Sequence, residues 1–266
     1  MLGRLLKYEV KATSRVLLPL FIALLLFAAI TRVITALGPS AESIPAVISM
    51  IIYGLIMVAM FITTFITILY RFFKNLLADE GYLMHTLPVP AWQHILSKLL
   101  VSILWIVASG VIAMVSIMIL GFEMSDFTRI FAFFTTGYQH VFAEIGLSLY
   151  VLSLEVILGF FLSIACGILI IYASMAIGHQ FNRHKILASF GAFIVLNTIS
   201  QILFMLFTWA PFWLTSNEAL EAIYMQWPKQ LVVELVIAYY LAFTALIGAA
   251  YFALTNFILS KRLNLE

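Results

Sequence analysis

The chain has 266 residues, of which 64% are hydrophobic and 10% are charged, and its net charge is +2. A water-soluble protein carries about 25% charged residues, so this composition excludes a soluble globular domain. A bilayer solvates apolar side chains all around a helix. We therefore predict an all-α integral membrane protein that forms a single domain over residues 1–266.

The first fifteen residues predict a short amphipathic helix that precedes the first span. Its cations share one face: Arg4, Lys7, Lys11 and Arg15. Its apolar residues share the other face: Leu2, Leu6 and Val10. Such a helix would lie along the inner membrane surface, with its cations among anionic headgroups. A basic flank that only sets the orientation is the alternative, and the two interpretations are compatible.

Six apolar segments follow, and each is long enough for one bilayer crossing, which takes about 20 residues. The predicted spans cover residues 16–37, 45–70, 99–121, 146–177, 187–209 and 230–259. The fourth and sixth are longer than one crossing requires, so we expect them to tilt or to extend beyond the membrane.

The positions of Lys and Arg predict the orientation, because cytoplasmic loops are enriched in these residues. With six spans, eleven of the 14 basic residues fall on one side: Arg4, Lys7, Lys11, Arg15, Arg71, Lys74, Lys98, Arg183, Lys185, Lys261 and Arg262. Arg32, Arg129 and Lys229 remain for the other side. We therefore predict that both termini are cytoplasmic.

The three connections on the outer side differ in character. Residues 38–44 form a short turn, whereas residues 122–145 combine charges with a cluster of Phe and predict an interfacial segment at the outer leaflet. Residues 210–230 contain Trp213 and Trp227, which are typical of headgroup anchors. A hairpin that dips back toward the membrane is the alternative for this third connection.

Motifs of common catalytic and nucleotide sites are missing from the sequence. It contains no GxxxxGK[ST] phosphate loop, no GxGxxG turn, no HExxH and no GxSxG. We predict that the chain is not an enzyme and binds neither ATP nor a metal ion. His179 and His184 lack metal-ligand spacing, and Cys166, the single cysteine, is predicted to be a packed thiol.

Four polar residues within the spans are candidates for a substrate route. Glu155 and Glu234 are ionisable groups at a depth where they usually face a bundle interior, a cavity or a partner. The alternative is that Glu234 reaches the outer interface and that Glu155 is a packing residue. Asn197 and Gln201 lie one turn apart in the fifth span, and hydrogen bonding between helices is the main alternative to a role in the route.

The longest charged interruption between two apolar spans covers residues 71–98. Residues 72–79 have the length of two helical turns, Gly81 suits the position after a helix end, and two prolines prevent continuation. We predict a short cytoplasmic helix parallel to the membrane, which packs on a partner or on the bundle. Its apolar side chains are Phe72, Phe73, Leu76 and Leu77. A solvated loop is the alternative.

This segment resembles the permease subunits of the ABC-2 type transporter family, in particular small Gram-positive exporters of bacteriocins and related peptides. In those proteins an acidic residue and a glycine precede Leu-Pro, and Ser-Lys enters the third span. The matching residues are Asp79, Glu80, Gly81, Leu87, Pro88, Val89, Ser97 and Lys98. The basic start, the six spans and the cytoplasmic termini agree as well.

The resemblance implies a permease in the bacterial cytoplasmic membrane that works with two copies of a separate ATPase subunit, which holds ATP and Mg. It also implies a second permease chain, which is either another copy of this chain in a homodimer or a relative, and a peptide substrate such as a phenol-soluble modulin, with no nucleic acid involved. A coupling helix would seat in a groove of the ATPase. Its residues would be Arg71, Phe72, Phe73, Lys74, Leu76, Leu77, Asp79, Glu80 and Gly81.

Two functions from other classes stay open. One is a proton-coupled secondary transporter that uses Glu155 or Glu234 and needs no ATPase. The other is a membrane scaffold or immunity protein that transports nothing.

Overall fold

The computed structural model describes residues 2–37, 43–77, 89–121, 124–145, 148–181, 183–215 and 227–261. In these ranges the chain forms seven α-helices: α1 (Leu2–Leu37), α2 (Ile44–Phe72), α3 (Ala91–Gly121), α4 (Met124–Ile145), α5 (Ser148–Gly178), α6 (Lys185–Thr215) and α7 (Lys229–Lys261). All of them except α4 contain a stretch that is long and apolar enough to cross a membrane. The predicted all-α membrane architecture with six spans is confirmed.

The first helix is one continuous element, so the predicted separate helix at residues 1–15 is corrected to the first part of α1. The 36 residues of α1 extend over about 54 Å, against a hydrocarbon core about 30 Å thick. The predicted basic face is exposed. Leu6 and Val10, however, pack against the hydrophobic core of neighbouring helices. Because their apolar surface is covered by protein, the first turns continue the span.

The second helix also continues farther than predicted. It begins after Ser43, with Pro45 in its first turn, where a missing N–H costs no helical hydrogen bond. At its other end it passes into a π-helical turn, Phe73–Leu77. The described part of the predicted coupling helix is therefore an extension of α2 and not a separate element.

The helices divide into two compact units, with the boundary inside α4. Of the described residues, those up to 75 and those from 89 to 137 belong to the first unit, and residues 76–77 and those from 138 onward belong to the second. The sequence, which we interpreted as one domain, contains no linker that marks this division.

In the first unit, α1 packs against both α2 and α3. One stripe of α1 is buried along most of the helix: Glu9, Thr13, Leu17, Phe21, Leu24, Ala28 and Thr31. From the other helices, Tyr53, Met60, Val101 and Trp105 join the same core. The three helices therefore alternate in direction around one apolar centre.

In the second unit, α5 packs against both α6 and α7. The turn between α5 and α6 depends on Gly178, because a Cβ there would lie 2.4 Å from the backbone nitrogen of Ser189. Buried side chains concentrate in residues 168–176 of α5 and 247–259 of α7. The apolar window of α6 buries none of its residues, although α6 packs against α5.

Two of the predicted outer connections are partly helical in the described residues, whereas residues 38–42 of the first connection lie outside the described ranges. The predicted interfacial segment forms α4, whose Phe131, Phe133 and Phe134 are exposed. Its location at the outer leaflet stays a prediction. Residues 210–215 continue α6, and residues 216–226 of the third connection lie outside the described ranges.

The buried stripe of α1 predicts a contrast between two adjacent alanines. Ala28 is completely buried, whereas Ala29 is exposed. Ala28→Phe forces a ring between packed helices and should reduce the free energy of unfolding by about 1–3 kcal/mol. Ala29→Phe, the matched control, should change it by less than about 0.5 kcal/mol. Thermal unfolding in detergent, followed by size-exclusion chromatography, measures both variants, and equal losses would contradict this packing.

Candidate functional site

The carboxylate of Glu9 in α1 binds a cation from each end of the charged segment 71–98. Arg71 donates from Nη2 to Oε2 over 2.9 Å, and Lys98 donates from Nζ to Oε1 over 2.7 Å. Arg71 belongs to the last turn of α2 and Lys98 to the beginning of α3. We call these three residues the Glu9 cluster. It joins all three long helices of the first unit at one point.

The Glu9 cluster is largely shielded from solvent. The side chain of Lys98 is 3% exposed, that of Glu9 is 9% exposed, and that of Arg71 is 27% exposed. Moving a charge out of water costs several kcal/mol, and only close opposite charges with good hydrogen bonds compensate for this. Removing the carboxylate would therefore leave two cations near each other without the anion that holds them.

One turn farther along α1, Thr13 connects the cluster to α3. Its hydroxyl donates to the backbone oxygen of Glu9 over 2.8 Å and accepts from Nε1 of Trp105 over 2.7 Å. The Trp105 ring also packs on Phe21, with ring centroids 5.9 Å apart. These contacts hold α1 and α3 in one register over several turns.

Further polar contacts join the same helices at successive levels toward the opposite end. The pairs, with donor–acceptor distances, are Thr64–Ser109 at 3.1 Å, Tyr53–Ser116 at 2.8 Å, Thr31 to the Ser49 carbonyl at 3.3 Å, and Arg32 to the Leu120 carbonyl at 3.2 Å. Hydrogen bonds between helices stabilise helix association in lipid, where apolar burial contributes little. A displacement at the Glu9 cluster would therefore move the helices and not only a loop.

Four of the predicted coupling residues make their contacts within the chain itself. Phe72 and Leu76 are completely buried, and Leu77 is 1% exposed. Arg71 binds Glu9. Of the two predicted options, packing on a partner or on the bundle, Phe72, Leu76 and Leu77 thus show packing within the chain, and a buried side chain cannot contact a partner without unfolding its surroundings.

The remaining predicted coupling residues are exposed or not described. Phe73 is 37% exposed. Lys74 is partly exposed, and its ammonium lies 5.5 Å from the centroid of the Tyr70 ring. Asp79, Glu80 and Gly81 lie outside the described residues. Among the predicted coupling residues that the structure describes, Phe73 and Lys74 are thus the ones that remain accessible to another protein without a buried contact being broken.

Two of the four predicted substrate-route residues come together in the second unit. Asn197 and Gln201 line a cavity of about 490 Å³ between α5, α6 and α7. Glu155 and Glu234 are half-buried and do not belong to its lining. The amides and the carboxylates therefore do not form one site. No group of three or more potential metal ligands occurs among the residues that the structure describes.

The sequence analysis missed the roles of Glu9, Thr13 and Trp105. The sequence does contain a pattern that marks Glu9 and Thr13. They begin a series of inward-facing residues at intervals of four, which continues with Leu17 and Phe21. This spacing extends the inward face of the span into the basic flank. No local pattern marks Trp105, since a tryptophan within a span also packs well against lipid.

The geometry of the Glu9 cluster predicts that substitution of Glu9 destabilises the protein more than substitution of Arg71. Glu9→Gln removes the anion that both cations share and should reduce the free energy of unfolding by about 3–5 kcal/mol. Arg71→Gln should cost about 1 kcal/mol or less, because this side chain is partly exposed and Lys98 remains bound to Glu9. Thermal unfolding with Lys11→Gln as the exposed control measures the order. An Arg71 variant that is less stable than the Glu9 variant would contradict it.

Comparison with protein-family models, with curated proteins and with solved structures finds no match to this chain. The functional interpretation therefore depends on the residues and geometry described above.

Proposed function

We propose that the chain is the membrane-spanning permease subunit of an ATP-driven exporter of the ABC-2 type, in which a separate polypeptide binds and hydrolyses ATP. The observation that carries the proposal is the Glu9 cluster, in which both ends of segment 71–98 meet on one buried carboxylate. The six candidate spans and the lack of a phosphate loop in the sequence support it.

The proposed orientation places the Glu9 cluster and both termini on the cytoplasmic side of a bacterial cytoplasmic membrane. It is supported by the distribution of Lys and Arg over alternate loops. An ATPase in the cytoplasm would then have access to segment 71–98. If segment 71–98 lay on the outer side of the membrane, it could not contact a cytoplasmic ATPase.

The proposed mechanism transmits a movement through the Glu9 cluster. Two ATPase subunits, closing around ATP and Mg, would displace the docked segment between α2 and α3. Because Arg71 and Lys98 both bind Glu9, the displacement would reach α1 as well. ATP drives the change only if it binds the ATPase better in one arrangement of the permease than in the other. Transport is then a shift between two arrangements and needs no chemistry in this chain.

The proposed assembly contains two ATPase subunits and two copies of the chain, which is one of the two permease pairings that the resemblance implies. The proposed cargo is an amphipathic or hydrophobic peptide. A cavity with neutral polar groups in the middle of the spans supports a cargo that combines apolar surface with hydrogen-bonding groups. Cargo of this type also partitions into the membrane, from which it can reach the permease.

The docking test compares two exposed phenylalanines in predicted cytoplasmic segments. Phe73 is 37% exposed and Phe181 is 55% exposed. Phe73→Asp should weaken association with the co-expressed ATPase about tenfold or more, because buried aromatic residues dominate interface energies. Phe181→Asp, the matched control, should bind as well as the wild type. Co-purification and ATPase activity measure both. Failure of any ATPase to associate, or wild-type association of the Phe73 variant, would contradict the proposal.

A second candidate function, proton-coupled transport, is favoured by one observation. Oε2 of Glu155 is shielded from solvent and has no hydrogen-bond partner among the described residues. Ionisable residues within spans usually face a bundle interior, a cavity or a partner, and they often mark the route of an ion or a proton.

Flux measurements in proteoliposomes that contain only this chain distinguish the two functions. The proposed exporter should show no peptide flux in the absence of an ATPase, with or without a proton gradient. It should also tolerate Glu155→Gln with less than about a threefold change in ATP-dependent flux, because this side chain does not line the cavity. Gradient-driven flux by the chain alone, abolished by Glu155→Gln, would support the secondary transporter.

A further inference from the structure

The cavity between α5, α6 and α7 combines the features of a binding site. Its volume of about 490 Å³ falls within the range of about 300–1,000 Å³ that is usual for small-ligand pockets. We propose that this cavity binds an uncharged amphiphile through an amide group, with the apolar body of the ligand lying against its aromatic wall.

The cavity lies at the level of the helix centres. Ser163, Gln201 and Thr244, which all line it, are close to the midpoints of α5, α6 and α7. In a helix that crosses the bilayer, this level corresponds to the middle of the hydrocarbon core. Polar groups at this depth are unfavourable unless protein, water or a ligand binds them.

The side-chain amides of Asn197 and Gln201 are available to a ligand. Neither amide makes a hydrogen bond to another residue in the described part of the chain, whereas both line the cavity. The two residues are one turn apart on α6, so their side chains lie on the same face. Each amide offers two donors and one acceptor, and an amide group of a ligand matches both functions at once.

Two of the hydroxyl groups that line the cavity together with these amides form only a long hydrogen bond with each other. Ser163 Oγ and Tyr240 OH are 3.4 Å apart, a long distance for a hydrogen bond between hydroxyls. Tyr251 donates to the Leu196 carbonyl over 3.3 Å. The long Ser163–Tyr240 contact can therefore be exchanged for contacts with a ligand, whereas Ser200 and Thr244, which also line the cavity, each donate to a backbone oxygen of their own helix over 2.9 Å.

The charge of the lining excludes an ionic ligand group. None of the described residues that line the cavity is Asp, Glu, Lys, Arg or His. An ammonium or carboxylate group bound here would lose its hydration without gaining an opposite charge, which is strongly unfavourable at this depth. The cavity therefore selects a neutral polar group.

One wall of the cavity is apolar and fits the body of an amphiphile. Phe204 and Phe243 line it, with ring centroids 5.5 Å apart, and Ile247 continues the same surface. Phe204 is 42% exposed, so the wall reaches the surface of the helix bundle. An apolar chain can therefore extend from the cavity toward lipid while the amide stays inside.

All the residues that line the cavity belong to α5, α6 and α7, so binding of an amphiphile there does not require an ATPase. The further statement that the bound amphiphile is the transported molecule rests on the proposed function. The binding experiment is therefore carried out with the purified chain alone, in nanodiscs that contain no ATPase.

The single cysteine of the chain, Cys166, lines the cavity and reports on its occupancy. The rate of its alkylation by N-ethylmaleimide is measured by mass spectrometry in the presence of three amphiphiles with the same twelve-carbon chain. Their head groups are a neutral amide (N-dodecanoylglycinamide), a cation (dodecyltrimethylammonium) and an anion (dodecyl phosphate). At a concentration about four times its Kd, the amide should slow alkylation about fivefold, and the two charged amphiphiles should slow it by less than about twofold.

The amide selectivity should depend on α6. Asn197→Leu combined with Gln201→Leu should abolish the protection by N-dodecanoylglycinamide without slowing alkylation in its absence. Thr198→Val is the matched control, because Thr198 is adjacent and exposed but does not line the cavity, and this variant should keep the protection.

Two results would overturn the binding site: no protection of Cys166 by the amide, or equal protection by all three amphiphiles, as expected for occupation by any acyl chain. These results would not affect the association of the chain with an ATPase. Conversely, failure of that association would remove the proposed function and leave the amide selectivity intact.

Discussion

The first unit depends on one carboxylate. Glu9 is nearly buried, and so is Lys98, so neither charge is stable there without the other. Arg71 binds the second oxygen of the same carboxylate, which places the end of α2 beside the beginning of α3. Because a buried ion cluster tolerates little displacement, α1 has to remain helical and packed through the turns that contain Glu9 and Thr13.

The two units differ in what the polar groups within their spans bind. In the first unit, hydroxyl, indole and guanidinium groups bind each other or backbone oxygens at several levels. In the second unit, two amides remain accessible from a cavity. In the proposed exporter, the first unit would transmit the input of the ATPase, and the second would recognise the neutral part of the cargo. This division of roles is part of the proposal.

The candidate sites show which features a local sequence pattern predicts and which features it does not. The spacing of Asn197 and Gln201 places both on one helix face, but nothing in that spacing indicates Ser163, Tyr240 or Thr244 as their neighbours. The apolar side chains after Arg71 were predicted to pack on a partner or on the bundle, and Phe72, Leu76 and Leu77 are buried within the chain. Which of them face the chain's own interior was not predictable, because a partner and the bundle present equally apolar surfaces to Phe72 and Leu76.

The sequence by itself determined the all-α membrane class, the six spans and the lack of known nucleotide motifs, because hydropathy and motif spacing are local properties. Only the tertiary structure brought Glu9 together with Arg71 and Lys98, which are 62 and 89 residues away. The same holds for the cavity, whose lining comes from three helices. In lipid, apolar residues face protein and acyl chains alike, so the apolar pattern of a span does not reveal which helix packs on which.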